Sequence, residues 1–462
     1  MKKMLSALIF MGILCNPSQL FGQENTSFIS DVVGVSEEQL SPGFWLKQTE
    51  TGTTPIWSMD KINDVNRKNL SQITEMSQVF EIPPQLTRSE LLAEIAFISR
   101  HLEQEPTFND DTPVTQAFYD ELDENLNREA IKELNPVAYA LAVRRSNLRT
   151  FPNAVPIFRK GQNKDIDRHQ ESVVFPADAV AVLHESKDGQ WVLVRVYNYL
   201  AWMREADLAY GDKETIEAYK SAADFLVITG AKVTTVFNPE VAAVSELQLE
   251  MGTRLPLEVP RENRHNLYGQ NPYASYVVKL PVRDEDGKLV FRYASIARSK
   301  DVHRGYLTHN ANNIITQAFK FLGERYGWGH RYNGRDCSGF VSEVYRSMGL
   351  LLPRNSKTQR NSTFGQNTRF TEETGMEERL EALANLDVGD LIYTPGHVML
   401  YLGSVEGKPY IIHDTTGMRY FLENGEFYKG ILNGVSVTPL LALQASPEKT
   451  YVETILTIKK IR

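Results

Sequence analysis

The chain has 462 residues, 42% of them hydrophobic and 23% charged, which is ordinary globular composition. A single core rarely grows that large, so roughly three or four domains are expected. The net charge of -8 argues against nucleic acid or another polyanion as the main partner.

The opening residues, "MKKMLSALIFMGILCNPSQLFGQENTS", read as a secretory signal. Lys2 and Lys3 give the charged start, and Leu5 to Leu14 give about ten mostly apolar residues, short for a membrane span. Segment 1–22 is the expected signal peptide, with cleavage near Gly22. An exported protein follows, periplasmic or extracellular. A lipoprotein reading needs a small residue before Cys15, where Leu14 stands. No later run has the ~18 consecutive apolar residues of a transmembrane helix, so none is expected in the mature chain. Removing the signal removes Cys15 and leaves Cys337 as a lone thiol with no disulfide partner.

Residues 23–135 read as mostly helical and loop-like. "SPGFWLKQ" starts with a turn signal at Ser41-Pro42-Gly43. Arg88 to Leu102 carries Leu91, Leu92, Ile95 and Ile98 at helical spacing. "AFYDELDENLNREAIKEL" is acidic and helix-prone. From 136 to 212 short strands take over, as in a small β-barrel. Lys187 to Gln190 is a hairpin turn containing Asp-Gly, after which Trp191, Leu193 and Arg195 share one face and Val192, Val194 and Val196 the other. Residues 213–306 repeat the theme as a second small barrel, with a turn at Asp284 to Lys288. From 307 to 462 the pattern is α/β. "NIITQAFKFLGERYG" turns Ile314, Ile315, Ala318, Phe319 and Leu322 inward, and strands follow the cysteine helix at "DLIYTP", "HVMLYLG" and "YIIHDTTG".

In "DCSGFVSEVYRSMGL", Phe340, Val341, Val344, Tyr345 and Met348 form one apolar helical face with Cys337. Asp336 suits the N-cap and Gly349 the position after the last turn. Cys337 then sits on the first turn, where free N–H groups and the helix dipole favour a thiolate and could receive an oxyanion. The alternative is a buried small hydrophobe. A nucleophile needs a base, and the base an orienting partner. His397 opens one strand and His413 ends the next, with "SVEGKP" between them as a hairpin loop. Pairing His397 with His413 sets Tyr401 opposite Pro409 and centres the turn near Val405. A slip of one residue would separate the imidazoles.

The other histidines, His101, His169, His184, His265, His303, His309 and His330, read as solvated or structural. No HExxH, paired CxxC or EF-hand pattern appears, so neither a metal nor a cofactor is expected. "GWGHRYNGR" lacks the lysine of a phosphate loop.

"YGWGHRYNGRDCSGFVSEVYRSMGLLLPRNSKTQ", "DVGDLIYTPGHVMLYLG" and "YIIHDTTG" together resemble the NlpC-type cysteine peptidases of bacterial cell walls. The resemblance covers about Leu307 to Ile458. It implies a papain-like α+β core with Cys337 as nucleophile, His397 as base and His413 as orienting residue. Tyr326 would contribute to the oxyanion hole, and Asp336 and Ser338 would contact bound peptide. Upstream, "RRSNLRTFPNAVPIF", "DRHQESVVF" and "SKDGQWVLVRVYNYLAWMREADLA" look like the first bacterial SH3 domain of a multi-domain branch. That branch implies a multi-domain α+β chain: a mostly helical clip-like stabilising domain (23–135), two SH3-like barrels (136–212 and 213–306) and the peptidase domain (307–462). Its members are similar to γ-D-glutamyl-L-diamino acid endopeptidases, which cut peptidoglycan stem peptides or muropeptide fragments bearing a free L-Ala amino end. An acidic residue and a tyrosine of the first SH3 domain hold that amino group. By position these are Asp167 and Tyr199, with Ala201 where the family often has glycine and Trp202 in the barrel core. The rival readings are an acyltransferase or amidase on the same core, and a non-catalytic wall-binding protein.

Overall fold

A computed structural model describes residues 28–49 and 51–462; the expected signal segment, 1–22, lies outside them. Residues 32–462 form one compact unit, so the modules read from the sequence pack on one another.

The N-terminal part is helical, with one reading corrected. Ser41-Pro42-Gly43 is a helix start: the Ser41 hydroxyl caps helix Pro42–Leu46, accepting from Gly43 N–H, and Pro42 takes the first position. Proline suits that place because its missing N–H would have had no partner. Trp45 of this helix is buried in the core of the C-terminal domain and donates to Gln39 O at 2.8 Å. Helix Met59–Gln72, capped by Ser58, reaches the same domain. Its Asn66 donates to Gly349 O and accepts from Leu351 N–H, both at 2.8 Å. Helix Arg88–Ile98 has a Thr87/Glu90 capping box and ends before the expected Leu102. The acidic helix spans Gln116–Asn125.

Residues 138–211 build a seven-stranded antiparallel sheet. Its order is Leu208–Gly211, Ala138–Ala142, Ala179–Glu185, Trp191–Val196, Tyr199–Arg204, Ser146–Arg149, Gln170–Val174. The Asp188-Gly189 hairpin forms, with Gly189 at φ +68. Strand Trp191–Val196 is buried on both faces apart from Arg195. Arg195 pairs with Glu94 of helix Arg88–Ile98, which covers one side of the sheet. Ala201 sits in a regular ladder opposite Val194, and Trp202 is fully buried, its indole donating to Ser99 Oγ.

Residues 213–306 start with helix Lys213–Lys220. Three separately paired pieces follow: sheet Arg254–Pro256, Phe225–Ile228, Val302–Arg304; hairpin Lys232–Thr234 with Gln248–Glu250; and hairpin Ser275–Arg283 with Leu289–Ala297. The Asp284–Lys288 turn closes the last, with Gly287 at φ +82.

The C-terminal part packs helices Ala311–Phe319 and Cys337–Arg346 against a six-stranded antiparallel sheet. The order is Gln366–Arg369, Thr457–Lys460, Leu391–Thr394, His397–Val405, Lys408–Phe421, Phe427–Pro439. Ile314, Ile315, Ala318, Phe340, Val341, Val344 and Tyr345 form the helix side of this core, with Val398, Leu400 and Ile412 on the sheet side.

Candidate active site

The helix beginning at Cys337 is set by its cap. Asp336 Oδ1 accepts from Gly339 N–H at 2.9 Å. Gly339 is required there: a Cβ would come within 2.4 Å of the His330 ring. Cys337 is a buried free thiol whose sulfur accepts from Val398 N–H, the residue after His397.

The two histidines meet, but not in the expected register. Tyr401 faces Ile411, not Pro409, and the turn lies at Glu406-Gly407, whose positive φ values (+51 and +75) fit a two-residue hairpin turn. An irregularity between Tyr401 and Gly403 shifts the ladder beyond it. Continued by one step from Leu400–Ile412, the register sets Met399 opposite His413. His397 and His413 are therefore diagonal neighbours, and an offset of two keeps both on one face. His397 Nε2 lies 2.8 Å from His413 Nδ1, and His413 Nε2 lies 3.1 Å from Thr438 Oγ1. If His397 Nε2–H donates to His413, and His413 Nε2–H to Thr438, His397 Nδ1 is left as the free base. Thr438, fully buried, was not singled out from the sequence.

Burial governs the protonation states. It pushes the Cys337 thiol up to about 12, with the Asp336 carboxylate adding to the effect and Val398 N–H opposing it. It pulls His397 down to about 4, with Asp336 opposing. His413 falls well below the ordinary histidine value, by burial and then His397. The thiolate expected from the helix terminus is thus overridden: at rest both the thiol and the imidazole are neutral.

Tyr326 is buried, bonded through its N–H to Asn433 O at 3.0 Å, and within electrostatic reach of Cys337, Asp336 and Asp414. Asp336 and Ser338 are tied to Arg354. Arg354 donates to Asp336 Oδ2 at 2.7 Å, Asp336 Oδ1 and Ser338 Oγ at 3.0 Å, His330 Nδ1 at 3.1 Å and Ser172 Oγ of the barrel at 2.8 Å. Burial alone would raise Asp336, but Arg354 outweighs it and holds the carboxyl well below the usual range. Arg354 was visible only as part of "LPR". A second charged knot lies behind it, where Arg335 bonds Glu343 and Glu324.

On the barrel, Asp167 is not beside Tyr199. It is 1% exposed and committed inside, taking Arg149 at 2.6 Å and the N–H groups of Ile157 and His169. The carboxylate that meets the Tyr199 hydroxyl is Glu171. Burial raises the Glu171 carboxyl, opposed by Tyr199, Arg354 and Arg149. Glu171 is the one partly exposed residue of the otherwise buried strand Gln170–Val174.

One further carboxylate was missed. Asp414, next to His413, is 0% exposed, and neither oxygen has a hydrogen-bond partner among the described residues.

Comparison with known proteins fits this geometry. Residues 323–434 match the NlpC/P60 family, and residues 156–204 match the SH3 domain of SH3b1 type. Over 189 residues the chain is 31% identical to the γ-D-glutamyl-L-lysine dipeptidyl-peptidase of Bacillus cereus, a match covering 37% of this chain and 49% of that protein. The match thus spans about half of that relative's length. It is 23% identical over 223 residues to dipeptidyl-peptidase 6 of Lysinibacillus sphaericus, covering 47% of this chain and 72% of that one. The fold is shared with an NlpC/P60 endopeptidase structure from Photobacterium damselae subsp. piscicida: TM-score 0.71 at 18% identity, over 89% of this chain and 95% of that one. Among the described residues no helix is long and apolar enough to cross a membrane.

Proposed function

We propose that this chain, which carries an NlpC/P60 domain and an SH3b1-type SH3 domain, is a cysteine endopeptidase that hydrolyses the γ-D-glutamyl–diamino acid bond of peptidoglycan stem peptides with a free N-terminal L-Ala. The observation that carries it is the relay: Cys337 Sγ against Val398 N–H, with His397, His413 and Thr438 joined by bonds of 2.8 and 3.1 Å.

The neutral resting pair suits a proton transfer coupled to attack. His397 takes the thiol proton as Cys337 Sγ bonds to the γ-glutamyl carbonyl carbon. The oxyanion is held by Cys337 N–H and the Tyr326 hydroxyl. His397 then gives the proton to the departing amine, leaving a thioester. Water, deprotonated by His397, attacks the thioester carbonyl, and the proton returns to sulfur as the acid leaves. His413, with Thr438 behind it, keeps the His397 ring turned so that Nδ1 is free.

Glu171 and Tyr199 take the role first assigned to Asp167 and Tyr199. Among the described residues Glu171 forms no ion pair with an arginine or lysine, and a substrate ammonium would supply the missing cation. Asp336 and Ser338, fixed by Arg354, form the wall beside it. The NlpC/P60 family and the relatives' names support a peptidoglycan substrate, and an exported location accords with it.

Cys337→Ala is expected to abolish hydrolysis of L-Ala-γ-D-Glu-diamino acid tripeptides, followed by mass spectrometry, while the far-UV spectrum and melting curve stay native-like. Full activity in that variant would remove the assignment.

A further inference from the structure

We propose that Arg159 and Arg168 form a subsite that reads a substrate carboxylate, on the barrel side of the cleft. The inference rests on the peptidase reading above and adds a determinant of specificity to it.

Position comes first. The Arg168 guanidinium lies over the Trp328 ring, 5.2 Å from its centroid. Trp328 is two residues beyond Tyr326, and its indole donates at 3.1 Å to the carbonyl of Gln170, the residue before Glu171. Both Glu171 and Tyr326 lie within electrostatic reach of Arg168.

Pairing comes second. Neighbouring arginines are answered by carboxylates: Arg149 by Asp167, Arg325 by Asp165, Arg346 by Asp178, Arg354 by Asp336. Among the described residues Arg159 and Arg168 have no such partner. The Arg168 side chain bonds only the neutral Gln162 amide, at 2.8 Å, and its Nε has no acceptor; nor does Arg159 Nε. The two guanidinium groups act on each other as like charges, each half-buried. Arg331, on the adjoining loop, adds a third cation with an unbonded nitrogen, lying over Tyr332 and Phe158. Like charges brought together and partly desolvated are costly until an anion arrives.

Chemistry comes third. A glutamyl residue linked through its γ-carbonyl keeps its α-carboxylate free. That group falls between the amide to L-Ala and the scissile carbonyl, which is between Glu171 and Tyr326. A guanidinium there gives a charge-assisted, bidentate grip. Stem tripeptides differ in one other carboxylate, the second one of diaminopimelate, absent when lysine takes its place; the C-terminal carboxylate of the third residue is common to them all.

Calorimetry on Cys337→Ala protein separates these. The probes are L-Ala-γ-D-Glu-L-Lys, the same peptide with its α-carboxyl amidated, and L-Ala-γ-D-Glu-diaminopimelate. Amidation is expected to weaken binding about 10- to 100-fold. Arg168→Gln in that background should shrink this gap to within a few-fold, and Arg168→Lys should keep most of it. A gap between diaminopimelate and lysine that collapses instead, with the amide gap intact, assigns the same subsite to the diamino acid carboxylate. Equal weakening of all three peptides, both gaps unchanged, or no binding of any peptide overturns the subsite. Failure of the peptidase reading looks different: wild-type protein binds the peptides with these preferences and cuts none.

Discussion

The two sides of the candidate site treat charge in opposite ways. On the nucleophile side, Arg354 joins Asp336, Ser338, His330 and the barrel's Ser172, and Arg335 is enclosed by Glu343 and Glu324. On the barrel side, among the described residues, Glu171 bonds a tyrosine and forms no ion pair, and Arg159 and Arg168 form none with a carboxylate. Asp167 and Glu171 show the contrast within four residues of chain: one closes an internal ion pair, the other meets a tyrosine hydroxyl and, among the described residues, forms no ion pair. Saturated groups hold shape. Groups left short of partners are free to bind a ligand, because a buried or half-buried charge gains most from a counter-charge it does not yet have.

The strongest test strikes the saturated wall. Arg354→Met would leave Asp336 buried without its cation. Breaking one side of such a pair costs about 3–5 kcal/mol, read as a drop in the urea midpoint at constant m-value. A loss under about 1 kcal/mol would mean the knot does not hold the two modules together, and the contrast would fail on that side.

The unsaturated wall is tested through substrate choice. Glu171→Gln keeps the Tyr199 contact but loses the charge. It is expected to lower kcat/KM about 10- to 100-fold for stems with a free amino end. The advantage of free over N-acetylated stems should shrink with it. An equal loss on both kinds of stem would make Glu171 a structural residue like Asp167.

The comparison also explains what could be read from the sequence. The Cys337 helix was legible because cap, apolar face and terminating glycine lie within one short stretch, all local rules. The His397–His413 contact was legible for a weaker reason: the assumed ladder was off by two residues, and only the period of two in strands kept the rings together. Helix Pro42–Leu46 was hidden because serine, proline and glycine serve both turns and helix starts. Glu171 was not legible because nothing local marks that Asp167 will be claimed by an arginine 18 residues earlier. Thr438 reaches the site only through strand pairing with distant chain, and nothing local marks Asp414, next to His413, as buried without a partner.

Asp414 breaks the pattern on its own side of the cleft, and gives the smallest and most pointed prediction. Its carboxyl is fully buried beside the relay, unbonded, and well above the ordinary 3.8. Burial disfavours the charge, Asp336 and Glu324 add repulsion, and Arg335 opposes them. The folded state therefore holds this proton more tightly than the unfolded chain. Its contribution to stability is fully present below about pH 3.9, the unfolded value, and is lost as pH rises toward the folded pKa. Asparagine has the same shape and cannot ionise. Asp414→Asn should match wild type in melting near pH 4 and melt a few degrees higher at pH 8. A lower melting point at pH 8 would mean that the ionised carboxylate has a stabilising partner, and that the nucleophile wall is saturated throughout. The outcome also bears on chemistry, since Tyr326 and Cys337 both lie within reach of Asp414's charge. In the proposed reaction, a carboxyl kept neutral there spares the developing oxyanion a buried negative neighbour.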